Sequence, residues 1–267
     1  MLELFKGTKY GYYICAILGA FGIYLIMPLR SNYPARLILF FLLLALWVVI
    51  VVMVFNELAK RKACKIDRRF WNDCDAENYV AIYEKFSQKR LNKVVKTYVL
   101  LNLSAGYLAI GNSTEALRVL SAIKDFPKRK HKDMYEFVYH NNYCSYHLQT
   151  NDIPAATQSL AQMENSLQNH PLPDSVWEKY WDVYSEKRCL LHMANGNYDG
   201  SEQVFDLVYQ KGESTLHRVS AKYTLAKIYL HYDRTAEAKE ALEYVIEHGG
   251  TTRYKKQAIQ LLEEMTF

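Results

Sequence analysis

With 267 residues, half of them hydrophobic, the chain is long enough for one sizeable core or one solenoid beside a membrane segment. Its formal net charge of +5 is unevenly placed: residues 1–55 carry Lys6, Lys9, Arg30 and Arg36 against Glu3, a net +3, which leaves 29 basic and 27 acidic residues, a net +2, for the rest. So nearly neutral a remainder excludes a dedicated nucleic-acid domain. Five scattered cysteines (Cys15, Cys64, Cys74, Cys144, Cys189) without a Cys-x-x-Cys pair exclude a disulfide framework and a zinc module, and fit a reducing compartment.

In chain order, residues 1–59 read as a transmembrane helical hairpin, with spans at about 10–29 and 37–56. Leu37–Phe55 is 19 residues long without a charge or a proline, enough to cross a bilayer as a helix. The first run contains Gly11, Gly19 and Gly22, and its Cys15/Gly19 and Ala16/Ala20 pairs would let two helices approach closely. A short connection, Arg30–Arg36, contains Pro34 and few charges. Lys6 and Lys9 precede the first span, and Lys60, Arg61, Lys62, Lys65, Arg68 and Arg69 follow the second, so both termini are expected in the cytoplasm of an integral membrane protein. The compositional style suggests a bacterial cell membrane. A cleaved signal peptide does not fit, because a full stop-transfer span follows at once. Residues 60–75 are expected to be a basic juxtamembrane linker whose six cations set topology and contact lipid headgroups.

Past Asp75 the apolar pattern is helical throughout, with no alternating strand. Turn signals recur at Gly111-Asn112, Thr150-Asn151-Asp152, Asn195-Gly196-Asn197, Tyr232-Asp233 and Gly249-Gly250. Each of the first four separates two helical stretches. Around them stand four comparable sets: Leu103, Ser104, Tyr107, Gly111, Ala116, Leu120 and Ile123; Cys144, His147, Asn151, Ala156, Leu160 and Met163; Cys189, His192, Gly196, Ser201, Phe205 and Val208; and Leu225, Ala226, Tyr229, Asp233, Ala238, Leu242 and Val245.

A small residue, then a tyrosine-like one, a turn, and three spaced apolar positions resemble the tetratricopeptide repeat family over about residues 95–249. That family repeats every 34 residues. Here Ala116, Ala156, Ser201 and Ala238 lie 40, 45 and 37 apart, so the units are longer. The resemblance implies an all-α fold in which residues 76–267 form a solenoid of about four to five helix pairs. A helix at 76–90 would complete a pair before the first clear repeat, and a capping helix at 251–266 would close the stack.

The resemblance also implies a concave groove, lined by the first helix of each pair, that takes an extended or helical peptide. Its partner-binding residues here would be Asn102, Asn141, Asn142, Ser145, Gln149, Glu186, Lys187, Tyr223, Thr224 and Lys227. Chaperone-binding members of the family hold a C-terminal carboxylate in a Lys-and-Asn clamp. Asn142 and Lys187 occupy two matching places, but Leu101 and Ala105 stand where a Lys and an Asn belong, so that clamp is incomplete.

Other chemistry is weighed against packing. His140, Cys144 and His147, at i, i+4 and i+7, and Cys189 with His192 have metal-ligand spacing. Yet both cysteines fall on the small position of the repeat, and His147 and His192 on its tyrosine position, so core packing accounts for both sets. No nucleophile elbow, phosphate loop, His-Glu-x-x-His or dinucleotide fingerprint is present. The basic run Lys128–Lys132 reads as a solvated loop, with docking on lipid headgroups or an acidic partner as the alternative.

The expected function is a non-catalytic, membrane-anchored scaffold that binds a membrane-associated protein or peptide partner at the cytoplasmic face, for assembly or regulation of a membrane complex. No cofactor, metal, nucleic acid or small-molecule substrate is expected. Two alternatives stand beside it: a translocation-associated chaperone or adaptor for nascent or exported chains, and a metal- or thiol-dependent enzyme using Cys144, His140 and His147.

Overall fold

A computed structural model describes residues 5–26, 33–126, 132–169 and 174–265. Among them are twelve α-helices and no strand: α1 (Lys6–Ile26), α2 (Tyr33–Asp73), α3 (Ala76–Ser87), α4 (Lys93–Ile110), α5 (Ser113–Ser121), α6 (Lys132–Gln149), α7 (Ile153–Asn169), α8 (Asp174–Ala194), α9 (Ser201–Lys211), α10 (Thr215–His231), α11 (Thr235–His248) and α12 (Arg253–Glu264). They fall into two compact units, Met1–Ile66 and Asp67–Phe267.

In the N-terminal unit, α2 is the one described helix long and apolar enough to cross a membrane. Its charge-free part, Leu37–Phe55, is about 28 Å long, close to the thickness of a bilayer's hydrocarbon core. Almost none of it is buried, and Ile38, Phe41, Leu42, Leu46 and Met53 are openly exposed. Pro34 stands in the first turn of α2, where a missing N–H leaves no hydrogen bond unmade. The helix thus begins at Tyr33, before the expected Leu37, while the last residues of the expected first span, 27–29, lie outside the described residues.

Helix α1 lies against α2 through small residues. The Trp47 indole N–H donates to the Cys15 carbonyl at 3.2 Å. A side chain on Gly19 would collide with that indole, and one on Gly11 would meet the Phe55 ring at 2.9 Å. Tyr12 also meets Phe55 edge to face. An indole in the middle of an apolar stretch needs an acceptor, and the bare backbone at Gly19 gives it access to one.

The expected linker differs most from what is found. Residues 60–73 continue α2 without a break. Ala59, Ala63, Phe70 and Cys74 are buried at helical spacing, whereas Lys60, Arg61, Lys62, Lys65, Arg68 and Arg69 are all exposed. This segment is therefore an amphipathic helix, and its charges mark the wet side rather than a break in structure.

In the C-terminal unit, four helix hairpins share one turn. Each begins with a residue in the left-handed region, Gly111, Asn151, Gly196 or Asp233. The following N–H then reaches back five residues: Asn112 to the Tyr107 carbonyl, Asp152 to His147, Asn197 to His192, and Arg234 to Tyr229. This closes the first helix of each pair with the same C-terminal motif. In the first two hairpins the second helix starts at once, with Asn112 accepting from the Glu115 N–H and Asp152 from the Ala155 N–H.

Packing is two-layered. Helix α4 lies on α6 and α6 on α8, while α5, α7 and α9 each bridge to the helix that follows. Small or compact residues allow close stacking: Ser104, Ala116, Cys144, Ala156, Ala226 and Ala238 are all fully buried. Helix α3 packs ahead of α4, and α12 packs on α10 and α11.

The two ends of this unit meet. Helix α12 also touches α4. The Thr251 N–H donates to the Cys74 carbonyl at 3.0 Å, and its Oγ1 accepts from the Glu77 N–H at 3.0 Å. Both sides of the contact are in the left-handed region, Cys74 at φ 52° and Gly250 at φ 52°. Glycine at 250 leaves room for the Cys74 carbonyl, which a Cβ would approach to 2.5 Å.

Candidate partner-binding surface

The polar residues expected to face a partner divide into two groups. Most of the asparagine and glutamine atoms are used within the fold. Asn102 accepts from the Tyr79 hydroxyl at 2.7 Å and donates to the Tyr98 carbonyl at 2.8 Å. Asn142, only 3% exposed, donates to the Leu101 carbonyl and to Ser104 Oγ, tying α6 to α4. Gln149 donates to the Leu108 carbonyl and accepts from Ser113 Oγ. Thr224 is buried and returns its hydroxyl to the Ser220 carbonyl. Such bonds between layers are where polar side chains in a helical stack contribute most, because an unpaired buried amide costs about 1–3 kcal/mol.

The second group remains at the surface. Ser145 is half-buried on α6. Glu186 and Lys187 on α8 form a half-buried pair at 3.7 Å. Lys227 is exposed on α10, and burial of its surroundings, with Arg253 beside it, holds its pKa below the usual lysine value. Tyr223 stands over Tyr254, ring centroids 5.5 Å apart. Asn141 donates to Asn142 Oδ1, but its own buried Oδ1 has no hydrogen-bond partner.

One occupant of this surface carries no local signal in the sequence. The last turns of α2 reach helices at both ends of the array. Phe70 stacks on Tyr79 of α3 at 4.1 Å, and Trp71 lies against His217 of α10 at 5.0 Å. Burial lowers the His217 pKa; Glu186 and Glu213 pull it up, while Lys187 and Lys179 push it down. The chain's own helix end therefore covers part of the face that α10 presents.

Asp67, one turn earlier, accepts from the Tyr83 hydroxyl at 3.1 Å and the Tyr98 hydroxyl at 3.4 Å, and those hydroxyls lie 3.2 Å apart. Burial raises the Asp67 pKa above 3.8, and the tyrosine hydrogen bonds offset only part of that rise. The folded state thus holds the proton more tightly than the unfolded chain. Its contribution to stability is complete below the unfolded pKa and is lost as pH rises through the folded one. From about pH 4 towards neutrality, the wild type should lose stability relative to Asp67→Asn, which cannot ionise. Chemical denaturation across that range checks this; a difference that stays flat with pH would count against the buried carboxylate.

The thiol and imidazole groups of α6 are at least partly buried in the fold. Cys144 is fully buried among Phe137, Ala156, Leu160, Met163, Tyr184 and Leu191. Burial raises its thiol pKa, with Lys187 opposing. His140 and His147 are both held low by burial. Cys189 donates to Ser201 Oγ at 3.2 Å, and His192 is exposed. Among the described residues, no three His, Cys, Asp or Glu side chains converge as a metal site. Residues 128–131 of the basic run lie outside the described residues; Lys132 opens α6 and pairs with Glu136 at 3.1 Å.

No family model, curated protein or solved structure matches the chain.

Proposed function

We propose that this chain is a non-catalytic, membrane-anchored scaffold of tetratricopeptide type. In this reading α1 and α2 form a transmembrane hairpin, both termini are cytoplasmic, and the helix pairs from α3 to α12 hold one protein partner beside the membrane. The observation that carries it is the exposed apolar length of α2. A contiguous run of large aliphatic and aromatic side chains is stable only under cover, and its length suits hydrocarbon. The repeated turn at Gly111, Asn151, Gly196 and Asp233 supports the repeat assignment, because the same hydrogen bond recurs at the same point of each pair.

Two features favour a dedicated partner over a permissive chaperone. The end of α2 lies on α3 and α10, leaving less of the shared face open to arbitrary extended chains. The surface groups that remain are also specific in character: a paired Glu186 and Lys187, and a crowded Lys227.

The test is carbonate extraction of membranes carrying the full-length protein, followed by a mild-detergent pull-down. Retention after carbonate, with one partner at fixed stoichiometry, is the expected result. Release by carbonate would refute the anchor; many substoichiometric soluble chains would favour the chaperone. A reporter fused after Phe267 that is active only outside the cytoplasm would refute the orientation if it were active.

A further inference from the structure

We propose that the first turns of α2 beyond its apolar part form a docking strip for anionic phospholipid headgroups. Lys60, Arg61 and Lys65 carry it. This rests on the reading of α2 as a membrane span.

The geometry sets the depth. Lys60 lies five residues beyond Phe55, about 7.5 Å along the helix axis, and Lys65 about 7.5 Å further. The strip therefore begins near the level where hydrocarbon gives way to headgroups and continues through that layer. It is helical rather than a loose linker, so the three cations are already held in place.

The helix also sets the direction. At about 100° per residue, Lys60, Arg61 and Lys65 share an arc of roughly 140°. Ala59 and Ala63, 0% and 4% exposed, lie outside that arc on the packed side. All three cations are exposed. Lys62 falls to one flank, with its ammonium 5.8 Å from the Phe5 ring.

The local counter-charge is weak. Glu57 lies 3.5 Å from Arg61, and both side chains are more than half exposed. An ion pair so open to solvent contributes little and exchanges readily for a phosphate. A cationic arc at headgroup depth, facing away from the packed side, matches the chemistry of an anionic bilayer surface.

Full-length protein reconstituted into phosphatidylcholine vesicles, with and without phosphatidylglycerol, tests this. The readout is the fraction of spin-labelled phosphatidylglycerol or phosphatidylcholine immobilised by the protein. A preference for the anionic lipid of about fivefold or more is expected, the equivalent of one headgroup cation. It should vanish in K60Q/R61Q/K65Q and persist in K60R/K65R, which keeps the charge. Equal immobilisation of both lipids, or a preference unchanged in the glutamine variant, would overturn the proposal. So would displacement of the lipid by inorganic phosphate in the bulk, which would mark a free-anion site. Protein washed from both vesicle types by carbonate would instead refute the membrane anchor itself; protein retained in both without lipid preference refutes only the strip.

Discussion

Removing residues 1–75 is expected to destabilise the repeat unit by at least about 5 kcal/mol, whereas removing residues 1–66 leaves it folded. The difference lies in the last two turns of α2 and the two residues after it. Phe70 is 2% exposed and stacks on Tyr79, and loss of an aromatic ring from such a site costs about 3–5 kcal/mol. Cys74 is fully buried, and its carbonyl accepts the Thr251 N–H. Without Asp67, the buried hydroxyls of Tyr83 and Tyr98 also lose their carboxylate acceptor, at about 1–3 kcal/mol. Chemical denaturation and hydrogen exchange of the two truncated chains decide the matter. Equal stability of 76–267 and 67–267 would mean that the α2 end is ornament rather than core.

Gly250→Ala is expected to cost about 2–5 kcal/mol and to act at the joint between the two ends of the array. Two penalties add. A Cβ in the left-handed region costs roughly 1–2 kcal/mol, and here it would also stand 2.5 Å from the Cys74 carbonyl and 2.9 Å from that of Asp73. Backbone cannot swing aside as a side chain can, so the overpacking adds about 1–3 kcal/mol. Gly196→Ala separates the two effects. Its φ is also positive, at 83°, but nothing lies within 4 Å of its Cβ position, so it should show the conformational cost alone. Hydrogen exchange should locate the difference: protection of the Thr251 and Glu77 amides is lost in Gly250→Ala and kept in Gly196→Ala. Loss of protection in both variants, or in neither, would remove the closing role assigned to Gly250.

The helices were legible where turn residues and apolar spacing agree. Gly111-Asn112 and Asp233 mark their hairpins in the sequence because each turn needs a left-handed residue, which at Gly111 is followed by an Asn112 cap. Residues 60–73 were harder to read. Six cations in ten residues look like a solvated linker, and the helical signal is carried by the sparse set Ala59, Ala63 and Phe70. Asn102, Asn142 and Gln149 expose a second limit. Positions that face a groove and positions that face the next helix are neighbours on one surface, so a polar residue type alone does not separate recognition from internal bonding. Trp71 with His217, and Asp67 with Tyr98, had no local signal at all, since each contact is made by residues distant in the chain and reports only on how the array closes.

That closure bears on how the chain folds. A stack of helix pairs is built from near neighbours and can nucleate anywhere and grow by zipping. The bond between Thr251 and Cys74 joins residues 177 apart, so its loop entropy falls due only once the intervening pairs have shortened the path. It should therefore form last. Synthesis imposes the same order, because the Cys74 carbonyl emerges 177 residues before the Thr251 group that bonds to it.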